Sequence, residues 1–539
     1  MTHRFLLLAA LAAAPFAEVP AQMYHQAWWG SAGTQVSSVK INSQGHLLAV
    51  IITQDTATFL GDTLPYPAHL YLTSISPMGD VEWIQPVGAH VWSFNFERTG
   101  MVLDDDDNIY LAAPYTTDTH VGDTVLTGTG STSTFIAKFD PTGGRVWVKH
   151  VATNLLTRCI DRAPNGELVI GGVTQGLQLL IGADTVPVLG NQSTDIVLVK
   201  LDEDGDVLWY DRSGGPGWYS DNCADVAFDA LGNIIMTGWF RSDSWFDSIF
   251  ITDFMTGNFN GFVAGYSAGG DAQWVTRLGY EPQGLDADDL GNTYALGYAN
   301  LWYDSLLVTG VHGSRHYLAR LDALGNIAWI VQPWNHSFGI ANDVVTDGAG
   351  NAWVVGHHRD SLALGPFIEF APGLNALMVY KADANGTIEW MDLQGNAGSM
   401  ADFRPMAIGR NDSCGLVIGG SYGFSDPLSL GSASLPPAPA PSAFIISMDD
   451  CVLATGITHS VSEDVLIYPN PTTDVVHVRS SGRFGLVEVV DIFGRRVHVI
   501  SEWRDPGLLA LDVRHLAAGA YVVRLQQYNA TIIRVIHVE

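Results

Sequence analysis

Positive charge is scarce in this chain: 26 Lys and Arg stand against 56 Asp and Glu in 539 residues, a net charge of −30. Such a chain repels polyanions, which excludes nucleic acid or an anionic membrane surface as a partner. Charged residues of both signs make up only 15%, against 47% apolar, the balance of a packed, turn-rich all-β protein and not of a disordered one. Cysteines number four; they fit an oxidising compartment but are few for the length, and none has zinc-site spacing. Long apolar runs are missing too, so there is no transmembrane segment. The nucleophile elbow, HExxH, the Walker loop and the dinucleotide fingerprint are all absent. Sites assembled from several repeats leave no such mark, so this last absence bears only on motif-built enzymes.

What is present begins with an export signal. Residues 1–21 carry Arg4, an apolar run from Phe5 to Ala14, and small residues at Val19 and Ala21, the three regions of a cleavable secretory signal with cleavage expected after Ala21.

The body of the chain is a repeat. An apolar strand, an Asp/Gly/Asn turn and a tryptophan recur over 70–83, 135–147, 196–209, 262–274, 317–329 and 377–390. The closing residues are Trp83, Trp147, Trp209, Trp274, Trp329 and Trp390, spaced by 64, 62, 65, 55 and 61 residues. A period of this size built from hairpins reads as a β-propeller. A second landmark, a strand running into an Asn-Gly, Gly-Asn or Asp-Asn turn and then a more apolar strand, occurs seven times, beginning near Asn42, Leu103, Arg162, Asp229, Asp288, Asp347 and Gly409. Those pairs tolerate positive φ and suit tight hairpins. Between the landmarks lies a middle segment with a recurring Asp62, Asp123, Asp184, Asp247 and Asp304, read as turn residues. Seven four-stranded blades follow, at 36–90, 94–152, 156–214, 222–279, 282–333, 338–395 and 401–453.

The seventh blade has no Trp strand of its own. Residues 24–33, with Trp28 and Gly33, match the outer-strand phrase of the third blade at Trp209 and Gly214. They are expected to close the last blade, leaving no open edge in the ring. The domain reading is a signal at 1–21, a propeller over 22–455, a linker at 456–464 and a last domain at 465–539. That domain reads as a small β-sandwich, with short alternating strands punctuated by Pro469, Pro471, Gly494 and Gly519.

The repeat phrase, above all at 135–147 and 317–329, resembles the secreted bacterial β-propeller repeat known as SBBP. The same phrase resembles the tryptophan repeat of quinoprotein dehydrogenases, which keeps an enzyme open. The last seventy-odd residues resemble the type A C-terminal sorting domain of the type IX secretion system of Bacteroidetes. The matching pieces are YPNPTTDVVHV from Tyr468, VEVVDIFGRRV from Val487, LAAGAYVVRL from Leu516 and a final strand from Thr531. The sorting-motif residues are Tyr468, Pro469, Asn470, Pro471, Asp491, Gly494, Gly519 and Tyr521. The chain departs from the family at its end, where Arg534 stands in place of a Lys-rich pair. The resemblance implies handling by the type IX machinery after passage through the periplasm, then removal of the domain with release or attachment to the outer surface.

Chemistry-bearing residues are few. Cys414 and Cys451 fall in hairpin turns on the same side of blade seven and are expected to form a disulfide, whose 37-residue span would contribute roughly 3–4 kcal/mol by the loop-entropy model. Cys159 and Cys223, in first strands of neighbouring blades, read equally as free thiols or a bridge. The acidic turns at 104–107 and 202–206 admit Ca²⁺, but Asp is favoured in such turns for backbone hydrogen bonding alone; no metal site and no cofactor are expected. His357 and His358 follow a strand with no partner motif. The aromatic residues of the inter-blade loops, Trp92, Phe94, Trp218, Tyr219, Tyr280, Trp334 and His336, open on one face and form the expected binding surface. The reading is an exported binding or adhesion module for an extracellular glycan or protein; the alternatives are a funnel enzyme, polysaccharide-active or quinone-dependent, and a structural surface component.

Overall fold

The computed structural model describes residues 24–538 except 54–56, 65–69, 89–98, 130, 175, 190–193, 217–219, 254–258, 301–313, 334–337, 372–374, 396–401, 412–414, 431–432, 450–465, 469–471, 480–485, 492–496, 498, 506–507 and 528–529. The described residues hold strands and turns and no helix. The signal reading at 1–21, the pair Cys414 and Cys451, and the linker lie outside them.

Seven antiparallel four-stranded sheets form the propeller. Blade one runs Thr34–Ile41, Leu47–Thr53, Leu70–Ile75 and Val81–Pro86 in simple meander order, and blades two to six repeat that order. The innermost strands touch in sequence, from Thr34–Ile41 through Gly100–Leu103, Leu155–Arg162, Asn222–Phe228, Glu281–Ala287 and Gly339–Thr346 to Asp402–Arg410, and the last returns to the first. A closed ring of seven results. The two middle strands of each blade are covered by neighbouring blades on both faces, which is why Leu47–Thr53, Ile109–Tyr115 and Leu168–Thr174 are buried throughout and read as unbroken apolar runs.

Blade seven is built from both ends of the propeller. Tyr24–Ala32 pairs antiparallel with Ala438–Asp449, setting Trp28 opposite Ile445 and Trp29 opposite Phe444. The Tyr24 hydroxyl donates to Asp392 of blade six at 2.7 Å, and the Trp28 indole donates to the Gly79 carbonyl of blade one at 2.9 Å. The terminal strand thus grips both neighbours.

That second contact recurs around the ring. Six of the seven outer-strand tryptophans lie over the turn glycine of the next blade: Trp28 on Gly79, Trp83 on Gly143, Trp147 on Gly205, Trp209 on Gly270, Trp274 on Gly325 and Trp329 on Gly386. Every one of these glycines has positive φ, and a β-carbon would stand within 2.4–3.5 Å of the indole. The recurring Trp and turn Gly are two halves of one inter-blade contact. The turns themselves are held by aspartate: Asp140, Asp202, Asp229, Asp288, Asp322, Asp347 and Asp383 each accept, through Oδ1, the backbone N–H groups two and four residues on.

A second glycine series has another cause. The inner strands of six blades carry a bulge, as between Cys223 and Asp225 or Ala341 and Asp343. Opposite five of these bulges stand Gly172, Gly238, Gly297, Gly356 and Gly420, where a β-carbon would fall within 2.7 Å of the bulged backbone. The middle segment is more than a turn: it forms short two-stranded ribbons, such as Gln178–Ile181 with Asp184–Pro187. Ribbons of blades one, three and four pair with the outer strand of the preceding blade, through Gly30 with Phe59, Ala152 with Ile181 and Gly214 with Trp245.

The C-terminal domain packs two sheets. One orders Leu466–Tyr468, Val475–Arg479, Leu508–Asp512 and Ile500–Asp505; the other orders Leu486–Asp491, Gly519–Gln527 and Ala530–Val538. Val476, Val478, Leu509, Leu511, Val523 and Ile536 form the core between them.

Candidate functional site

In a four-stranded meander the first and third turns fall at one end of the blade, and the second loop falls at the other with the link to the next blade. All seven blades point the same way, so the ring has a turn face and a loop face, joined by the central channel.

The channel is lined by the inner strands of all seven blades. Four carboxylates face it in two levels. Asp161 of blade three accepts the Phe228 N–H of blade four at 2.7 Å, and Asp286 of blade five accepts the Thr346 N–H of blade six at 2.7 Å and its hydroxyl at 2.9 Å. Asp225 of blade four accepts from Leu285 of blade five at 3.1 Å, and Asp343 of blade six from Ile408 of blade seven at 2.9 Å. Each carboxylate therefore ties its blade to the next. Burial pushes Asp161 up to about 6, opposed by its N–H donors and by Lys40. Burial also raises Asp286, opposed by the Thr346 bonds and by Lys40. Lys40 and Arg158 also line the cavity. Among the described residues no group of three or more His, Cys, Asp or Glu is arranged to hold a metal ion. The acidic turns are spent internally: Asp104 is bonded by Asn108 and by Lys138 at 3.1 Å, and Asp202 by the amides of Asp204 and Asp206.

The loop face of blades four and five carries a continuous aromatic row. Trp239 meets Phe259 edge-on with ring centres 4.6 Å apart, Phe259 meets Tyr280 edge-on at 5.1 Å, and Tyr280 is 6.4 Å from Tyr298. Arg241 lies 4.7 Å over the Phe259 ring, and the Tyr298 hydroxyl donates to Glu281. Burial raises the Glu281 carboxyl, opposed by that hydroxyl and by Arg241. All four rings are half-buried, so each keeps an open edge or face. In blade six, Arg359 lies 5.0 Å over the exposed ring of Phe338 and its Nε donates to Asn375 at 2.6 Å.

Of the loop aromatics expected from sequence, Tyr280 lies inside this row, whereas Trp92, Phe94, Trp218, Tyr219, Trp334 and His336 lie outside the described residues. Trp239, Phe259 and Tyr298 were not expected. Trp239 and Tyr298 each follow the bulge-facing glycine, Gly238 and Gly297, and His357 follows Gly356 in blade six; that shared position is the signal that finds them. Cys159 and Cys223 are buried free thiols with sulfurs 3.9 Å apart. In the last domain Tyr468 is exposed, the Tyr521 hydroxyl donates to Ala517 O at 2.9 Å, and Gly519 begins an inner strand. Asp491 ends the strand Leu486–Asp491, while Pro469, Asn470, Pro471 and Gly494 lie outside the described residues.

Among curated proteins none matches the chain. Among solved structures, the Pan2 WD40 domain of Neurospora crassa is similar at 10% identity over 80% of this chain and 98% of its own, with a TM-score of 0.41. A Dyadobacter fermentans protein is similar at 10% identity over 80% of this chain and 100% of its own, TM-score 0.38. A catalytically inactive virginiamycin B lyase from Staphylococcus aureus is similar at 10% over 77% and 96%, TM-score 0.35. Residues 466–539 match the secretion system C-terminal sorting domain. No helix of the described residues is long and apolar enough to cross a membrane. The chain is a seven-bladed β-propeller that carries a C-terminal sorting domain of the type IX secretion system, which directs it to the cell surface or the exterior.

Proposed function

We propose that the exported propeller is a binding module and that its loop face over blades four and five is the contact surface. The observation that carries this reading is the row Trp239, Phe259, Tyr280 and Tyr298, with Arg241 and Glu281 at its edge. Four half-exposed rings in series offer flat apolar area with low entropy cost, and the guanidinium and carboxyl add hydrogen bonds at fixed positions. The ligand class is an extracellular glycan, whose sugar rings stack on such a row, or a protein segment with apolar side chains. The test is an array of glycans and extracellular proteins probed with the mature chain. Specific hits that weaken at least tenfold in Trp239→Ala/Tyr280→Ala support the reading; hits unmoved by that variant place the contact elsewhere.

A second reading rests on Asp161 and Asp286 in the channel, because carboxyls raised by burial, Asp161 to about 6, suit acid or base catalysis. Each carboxylate is already bonded to the adjacent blade, and a staple of this kind serves ring cohesion first. Hydrolysis of a polysaccharide panel, lost in Asp161→Asn with an unchanged melting temperature, would favour the enzyme over the binding module.

A further inference from the structure

Cys159 and Cys223 stand 64 residues apart, one repeat, on the innermost strands of blades three and four. Both are buried, and their sulfurs face each other at 3.9 Å. Space for the pair comes from a missing side chain: a β-carbon at Gly171 would stand 2.6 Å from one Sγ and 2.7 Å from the other. At the matching position, opposite the inner-strand bulge, blades one, four, five and six carry Val50, Thr237, Leu296 and Val355, while the glycine of blade seven, Gly419, makes room for Val36 and Val39 and not for a thiol pair. A disulfide needs sulfurs about 2.05 Å apart, and the two face each other across 3.9 Å, so bonding requires them to approach by a little under 2 Å.

We infer that Cys159 and Cys223 are joined by a disulfide in the exported protein, a covalent cross-link between blades three and four beside the central channel. Export takes the chain out of the reducing cytoplasm into an oxidising compartment, where such bonds persist. In the reaction each thiol loses its proton and the pair loses two electrons. One S–S bond forms, and the disulfide of a thiol–disulfide oxidoreductase, or of oxidised glutathione, is cleaved to two thiols. Burial and the adjacent sulfur push the Cys159 thiol well above the ordinary range, and the thiolate is the reacting form. The exchange therefore takes place on the folding chain, before the ring closes over the pair.

The test is a peptide map of the mature exported chain, alkylated under denaturing conditions without reductant. A cross-linked peptide containing Cys159 and Cys223, which separates only after reduction, is expected. Alkyl groups on both residues in the unreduced protein would overturn the inference. A second measurement uses Cys414→Ser/Cys451→Ser, which leaves this pair as the only cysteines. Its melting temperature should fall by several degrees on reduction, and the fall should vanish after the further change Cys159→Ser. Equal melting of its oxidised and reduced forms would overturn the inference as well.

Discussion

The two faces of the ring follow different rules. On the turn face, blades one to six repeat one device: a glycine at positive φ with a tryptophan from the preceding blade lying on it, in a turn held by an aspartate in blades two, three, five and six and by Ser76 and Ser267 in blades one and four. On the loop face, the residue after the bulge-facing glycine is Val173, Trp239, Tyr298, His357 and Ser421 in blades three to seven. Repetition marks what the ring needs in order to close, and variation marks where it is free to differ. Substitutions on the turn face and in the ring contacts should cost stability, and those on the aromatic row should cost little stability while changing binding.

The largest effect is expected from removing residues 24–32. That deletion strips Trp28 and Tyr24 from their neighbours and opens the edge of Ala438–Asp449; loss of the buried tryptophan alone is worth roughly 3–5 kcal/mol. Thermal or chemical melting should show a loss of about 5 kcal/mol or no cooperative transition. Next comes Gly325→Val, which sets a branched residue at φ +79 and drives its β-carbon to 2.4 Å from Trp274; a loss of roughly 3 kcal/mol is expected by urea titration. Asp286→Ala leaves the Thr346 N–H without its acceptor, at a cost of roughly 2 kcal/mol. Trp239→Ala, half-buried on the loop face, should stay within about 1 kcal/mol of the parent. A loss equal to that of Gly325→Val would erase the contrast between the faces.

A subtler comparison uses pH. Burial holds His357 down at about 4, against an ordinary value near 6.5. The unfolded chain therefore takes up a proton first as pH falls, and stability drains from pH 6.5 toward 4. Asp221 runs the other way: burial and then Asp195 raise its carboxyl to about 8, so its protonated folded form is favoured at low pH and that advantage is lost as pH rises from about 4 to 8. His357→Gln should retain more of its stability at pH 4.5, relative to pH 7, than the parent, by roughly 1–2 kcal/mol. Asp221→Asn should flatten the alkaline side. Parallel curves for parent and variants would contradict both assignments.

Much of the ring was legible because its signals are local. The turn Asp or Ser, the turn Gly and the Trp lie within about a dozen residues of each other, and the phrase recurs in six of the seven blades. The closing strand was legible because Trp28 repeats the outer-strand phrase. The aromatic row was only partly so. Tyr280 sits in a loop, but Trp239 and Tyr298 end apolar strands and look like core residues, and nothing local says that the bulge beneath Gly238 or Gly297 marks the rim. The channel carboxylates were invisible for a similar reason: Asp161 and Asp286 stand two residues before their turns, Asp225 and Asp343 four, and they become one set only when the blades are arranged in a circle.

The measurement that tests the division of the two faces most directly is binding to the strongest array ligand by two matched double variants. One, Trp239→Ala/Tyr280→Ala, alters the loop face; the other, Leu231→Ser/Leu290→Ser, alters exposed leucines at turn tips on the opposite face. Loss of binding at least tenfold in the first, with the second unchanged and both melting like the parent, is the predicted result. Loss in the second with binding intact in the first would contradict it.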